Sequence, residues 1–105
     1  MPTDEALTLQ ALTAAMHDFV KAKGWYDADS PRPQTPRNIA VSLTIEAGEV
    51  LELFQWGEDS PDPSVLAGEL ADVALYLLQL ASLTGVNLQQ AILDKLRVNY
   101  DRSWE

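Results

Sequence analysis

Two carboxylate pairs, Glu46-Ala-Gly-Glu49 and Glu69-Leu-Ala-Asp72, recur at one spacing inside two strongly apolar stretches of helical period. Residues three apart share a helix face, so each pair aims two negative groups in one direction from a segment whose other residues call for burial. Buried charge is costly unless something neutralises it, and no run of Lys or Arg adjoins either pair. A fold that tolerates both helices must bring the four acids together around positive charge. Four converging carboxylates suit a hard, oxygen-seeking cation such as Mg²⁺. Glu46, Glu49, Glu69 and Asp72 are therefore the candidate metal ligands. Glu52, Glu58, Asp59 and Asp62 lie off the stripe or in a turn and read as solvated acids, with Glu52 retained as a candidate outer-shell group.

The apolar period stays close to 3.6 throughout, with no convincing alternation of period two, so the chain reads as all-α. Helix one is expected from about Asp4 to Lys23, burying Leu7, Leu12, Met16, Phe19 and Val20 and stopping at Gly24. A loop from Trp25 to Gln34 follows. Thr35-Pro36 caps helix two, expected to reach Trp56, and Asp62-Pro63 repeats that signal for helix three, which runs to about Thr84. Gly85 ends it. Asn87 then caps helix four, expected to reach Tyr100 or beyond, with Gln90 at the reciprocal position of a capping box.

At about 100° per residue, Glu46 falls amid Ile39, Val50 and Leu53, and Glu69 amid Val65, Val73, Tyr76 and Leu80. Glu49 and Asp72 lie to the side of these stripes. Both helices are apolar on other faces too, through Leu43, Ala47, Leu51 and Phe54 on one and Ala71, Leu75, Leu78 and Ala81 on the other. One four-helix layer cannot bury all of these faces, and pairing with further copies of the chain can. A homo-oligomer, dimer or tetramer, is expected.

With 105 residues and 47% hydrophobic content, residues 1–105 read as a single domain. A formal charge of −9 disfavours nucleic acid, whose binding relies on Lys and Arg displacing counterions. The absence of cysteine removes disulfides, thiolate nucleophiles and Cys-based zinc sites. An acidic start without a signal-peptide pattern and no apolar run of spanning length point to a cytoplasmic protein without a membrane partner.

The run Thr35-Pro36-Arg37-Asn38, then Glu46 to Trp56 with its Glu-Leu-Phe-Gln-Trp end, then Glu69 to Tyr76, resembles the MazG-like all-α nucleoside triphosphate pyrophosphohydrolases, and among them the dCTP pyrophosphatase branch. The resemblance covers roughly Phe19 to Arg102. It implies an antiparallel four-helix bundle-like protomer within an oligomer. It further implies hydrolysis of a nucleoside triphosphate to monophosphate and pyrophosphate, with Mg²⁺ or Mn²⁺ held by the four acids. Glu49 and Glu46 become the catalytic candidates, Glu49 being the first choice to orient or deprotonate water. Phosphoryl substitution of this kind needs charge neutralisation and alignment more than a covalent nucleophile.

Lys95 and Asn99 resemble the family's phosphate- and sugar-contacting segment, while Arg97 points elsewhere and Arg102 departs from the family's more basic run. Trp25, Trp56 and Tyr76 are the aromatic candidates for a nucleobase, which stacks readily on such faces. His17 stands one residue from the position of the branch's histidine, which falls on Met16, and reads as a surface residue. The similarity points to dCTP or a modified dCTP and a nucleotide-pool housecleaning role, with a broad NTP or dUTP preference also open. Phosphoribosyl-ATP pyrophosphohydrolase shares similar acids, and the Phe-Gln-Trp run counts against it. A non-catalytic, metal-dependent nucleotide-binding or regulatory helical dimer is the alternative.

Overall fold

Short polar caps and two glycines set where the helices start and stop. The computed structural model describes residues 7–57 and 61–104, and comprises α1 (Leu9–Ala22), α2 (Pro36–Glu52), α3 (Pro63–Leu83) and α4 (Leu88–Asp101), with no strand among the described residues. Each helix opens on a side-chain cap that satisfies an amide lacking an intrahelical partner. Thr8, Thr35, Asp62 and Asn87 accept from the N–H groups of Ala11, Asn38, Ser64 and Gln90 at 3.0, 3.2, 2.8 and 3.0 Å. The hydroxyl and amide of Ser64 hold the Asp62 carboxyl below its usual range.

Gly24 and Gly85 carry φ of 73° and 75°, a left-handed conformation open mainly to glycine. Around each, the next residue's N–H reaches back five positions, Trp25 to the Val20 carbonyl and Val86 to that of Ala81, as in a Schellman stop.

Two boundaries and one capping box differ from expectation. α1 begins at Leu9 because the Thr8 hydroxyl caps it; the expected start at Asp4 lies outside the described residues. α2 ends at Glu52 and not Trp56, because Leu53, Phe54 and Gln55 donate to carbonyls three residues back and tighten the chain into turns. The capping box at α4 is half made. Asn87 caps, but the Gln90 amide donates to Asp94 at 2.8 Å instead of returning to Asn87.

α3 is the middle helix, with α2 and α1 both packed on it. The buried apolar side chains are Met16, Val20, Ile39, Leu78 and Ala81. Leu7, Leu12 and Phe19, expected in the core, are exposed, and α4 buries no residue. α3 also corrects the statement that no run is of spanning length. Its 21 residues, at mean hydropathy 1.4, pass a length-and-composition test for a membrane span. Its apolar residues include those that pack on α1 and α2, and it carries Glu69 and Asp72 mid-length, which a bilayer core penalises.

Candidate active site

The packing of α2 on α3 brings Glu46 and Glu49 from one helix against Glu69 from the other. One carboxylate oxygen from each lies within 4.8 Å of the other two, and all three side chains are half-buried. Asp72 is exposed and outside this group of three, yet near enough for its charge to act on both Glu46 and Glu69. The four candidate ligands thus form a tight three plus one neighbour.

Electrostatics make the cluster a sink for positive charge. Burial pushes the Glu46 carboxyl up to about 7, with contact and charge repulsion from Glu49 and the charges of Asp72 and Glu69 adding to it. Burial likewise raises Glu69, as do the Glu49 contact and charge and the Asp72 charge, with Glu46 partly offsetting them. No lysine or arginine is among the groups that shift either acid. Glu46 Oε2 and Glu69 Oε2 are enclosed and have no hydrogen-bond partner. Enclosed carboxylate oxygens without donors are costly in a polar-satisfied fold. Oxygen donors of this number and charge match a hard divalent cation, so the residues present fit a metal ion.

The remaining candidates are spread out. Trp25 follows the stop of α1, where that stop holds its ring edge-on to Phe19 at 5.6 Å, a contact typical of this kind of helix end. The Arg32 guanidinium lies 5.8 Å over the Trp25 ring centre. Tyr76 is half-buried on α3, one turn beyond Asp72. Trp56 is 91% exposed, past the end of α2. Lys95 is exposed on α4, while Asn99 is half-buried with its Oδ1 enclosed and unpartnered. Arg97 pairs with Asp94 at 3.1 Å, away from Lys95, as its position predicts. Arg102 lies over Trp104 at 4.2 Å. Within one chain the acids come together, whereas Trp56 and Lys95 stand in solvent.

Sequence reasoning missed a polar network. His17 is not a free surface residue: it is half-buried, and its Nδ1 and Nε2 lie 2.6 Å from Tyr26 Oη and 2.7 Å from Ser82 Oγ. Gln79 on α3, 3% exposed, donates through Nε2 to Tyr26 Oη at 3.2 Å and to Gln34 Oε1 at 2.8 Å. Burial raises the Tyr26 hydroxyl above its ordinary pKa, with the Gln79 bond acting the other way. A lone glutamine in the apolar run from Tyr76 to Ala81 was the available signal.

Known proteins share these features. No protein-family model matches the chain. It is 34% identical over 104 residues to dCTP pyrophosphatase 1 of Mus musculus, an alignment covering 90% of this chain and 58% of that protein. The match to dCTP pyrophosphatase 1 of Homo sapiens is the same in identity and coverage. The chain therefore spans somewhat over half the length of these relatives. A 39-residue stretch, 37% of the chain and 13% of the relative, is 44% identical to a dATP/dGTP diphosphohydrolase of Salmonella phage PMBT28. Among solved structures, a pyrophosphatase from Archaeoglobus fulgidus superposes with a TM-score of 0.78 at 27% identity, covering 100% of both chains. The all-helical fold and these relatives support the resemblance to the MazG-like nucleoside triphosphate pyrophosphatases read from the sequence.

Proposed function

We propose that this chain hydrolyses a nucleoside triphosphate to the monophosphate and pyrophosphate with Mg²⁺, or Mn²⁺ in its place, and that dCTP or a modified dCTP is its preferred substrate. The observation that carries this reading is the convergence of Glu46, Glu49 and Glu69, two of them with enclosed, unpartnered oxygens and no Lys or Arg among the groups that shift them. The relatives named dCTP pyrophosphatase 1 support the reaction and the choice of base, and the phage relative, named for dATP and dGTP, supports the reaction alone. Glu46, Glu49 and Glu69 would hold the ion, with Asp72 completing the ring of charge. Bound there, the ion screens the triphosphate and makes the attacking water more acidic.

Glu49 orients that water and takes its proton as the oxygen bonds to the α-phosphorus. The bond from the α-phosphorus to the α–β bridging oxygen breaks, and pyrophosphate leaves with the electron pair. Trp25, Trp56 and Tyr76 receive the base, and Lys95 and Asn99 the phosphates and sugar.

That assignment calls for more than one copy of the chain. The accessible surface of 8127 Å² exceeds the roughly 5800 Å² expected of a folded monomer of 11.6 kDa. Ile45, Leu51, Leu70 and Leu96 are 49–73% exposed on α2, α3 and α4. A dimer or tetramer would cover these faces and bring α4, with Lys95, to a neighbour's acids. The role that follows is cytoplasmic clearance of unwanted nucleotides.

The test is pyrophosphate release from a panel of canonical and modified dNTPs and NTPs, with Mg²⁺ or EDTA, using Glu46→Gln as the control. Release that needs Mg²⁺, favours a deoxycytidine nucleotide and is lost in the variant is expected. Nucleotide binding without release from any member of the panel refutes the enzyme and favours the non-catalytic binding protein.

A further inference from the structure

We propose that Gln79 and Tyr26 are positioning residues for nucleobase selectivity, because together they fasten the Trp25–Gln34 loop to the helix that carries Glu69 and Asp72. The proposal rests on the reading of Trp25 as a base contact. Gln79 is the buried polar side chain of the described residues, 3% exposed amid the core of α3. Such a group persists only where its hydrogen bonds are made. Its one amide nitrogen reaches both ends of the loop, Tyr26 Oη at 3.2 Å and Gln34 Oε1 at 2.8 Å. Both hydrogens of that nitrogen are thereby used.

The bonding directions then follow along the chain of groups. With Gln79 donating to it, the Tyr26 hydroxyl has its own hydrogen to give to His17 Nδ1 at 2.6 Å. The other ring nitrogen of His17, Nε2, faces Ser82 Oγ at 2.7 Å. Gln34, Gln79, Tyr26, His17 and Ser82 thus form one run of matched donors and acceptors linking the loop, α1 and α3. Gln79 lies seven residues beyond Asp72, two turns along nearly the same line of the helix. Whatever fixes the loop to Gln79 fixes it relative to the acids.

What the loop holds makes that register matter. Trp25 sits immediately before Tyr26, and Arg32 lies over its ring at 5.8 Å. A stacking residue discriminates between bases only if its plane is held to a fraction of an ångström relative to the reacting phosphate. The loop has no helix of its own, and apart from its local turn bonds this amide is its tie to α3.

The experiment measures kcat and KM of the full-length protein with the best nucleotide of the panel and with its runner-up, for wild type, Tyr26→Phe, Gln79→Met and Trp25→Ala. Tyr26→Phe removes one hydroxyl and keeps the ring, so it remains informative if Gln79→Met fails to fold. Each of these two variants is expected to lower the ratio of kcat/KM between the two nucleotides by about fivefold, mainly through KM for the preferred one. A purely structural role lowers the active fraction equally for both nucleotides and leaves the ratio unmoved, and that result overturns the proposal. Failure of the underlying reading has a different signature: Trp25→Ala then leaves the ratio unchanged while Mg²⁺-dependent release persists. If Trp25→Ala erases the preference and Tyr26→Phe keeps it, the loop contact stands and the positioning role falls.

Discussion

Lowering the pH should expel Mg²⁺ from this protein well before ordinary carboxylates are protonated. Each acid must surrender its proton to ligate, and Glu46 has been pushed up to about 7 by burial and by Glu49, Asp72 and Glu69 around it. At pH 6 such a group is about 90% protonated in the metal-free protein, and each further unit down divides the deprotonated fraction by about ten. The apparent Mg²⁺ association constant should therefore rise about tenfold per unit from pH 5 to 7, then level off above that. Calorimetric titration of Mg²⁺ at pH 5.5, 6.5, 7.5 and 8.5, in buffers of different ionisation enthalpy, reads both the constant and the protons released. About one proton should leave per ion at pH 5.5 and almost none at 8.5. Glu46→Gln should bind more weakly throughout and lose most of this slope. An affinity in wild type that stays flat between pH 5.5 and 7 would show that the acids do not share the crowded environment described, or that the ion binds elsewhere.

Four further outcomes are expected. The metal-free protein should lose thermal stability as pH rises from about 4.5 to about 7, because Glu46 binds its proton more tightly folded than unfolded, so folding is favoured below the unfolded value and penalised as the proton leaves; a melting series with EDTA should show the fall, and Mg²⁺ should reverse it. Ile39→Ala, at a site 2% exposed, should cost about 2–5 kcal/mol in denaturant unfolding, and a loss under about 1 kcal/mol would mean that α2 packs differently. Gly24→Ala should cost about 1–2 kcal/mol for the left-handed φ of 73°, and its Cβ would also meet Asp27 Oδ2 at 3.1 Å. Gly85→Ala, with a φ only two degrees away and open space, should cost less, and equal losses would assign the whole effect to backbone. Dilution followed by light scattering and pyrophosphate release should show assembly and activity lost together; activity retained by a monomer would remove the need for a neighbour's α4.

Helix ends were legible where the chemistry is local. Thr35-Pro36, Asp62-Pro63, Gly24 and Gly85 act through their own backbone and the next few residues, and they stand where the sequence put them. The end of α2 was not, since the apolar period continues through Phe54 and Trp56 while the backbone has already tightened into turns. The paired acids were legible because a spacing of three on an apolar helix has few explanations, and α2–α3 packing then fixes which oxygens meet. Asp72 stands apart from the tight group, a distinction that spacing does not carry.

What stayed hidden shares one cause, which is contact at long range in sequence. Tyr26 and Gln79 are 53 residues apart, Gln34 and Gln79 are 45, and His17 and Ser82 are 65. Nothing in the neighbourhood of His17 reveals that both its ring nitrogens are engaged, and its surface assignment failed for that reason. Exposure has a related origin. A periodic stripe states that a face wants burial but not against what, and Leu12, Phe19 and Leu51 remain open because no described helix of the same chain covers them. The two kinds of contact divide the work of the site. The paired acids need only α2 and α3; under the proposed reading, the loop that carries Trp25 would need Gln79 to hold its register, and Trp56 and Lys95, standing in solvent, would acquire a role when a neighbouring copy closes over the acids. Selectivity and turnover should for that reason respond to different mutations, the first to the Tyr26 network and the second to the carboxylates and the subunit contact.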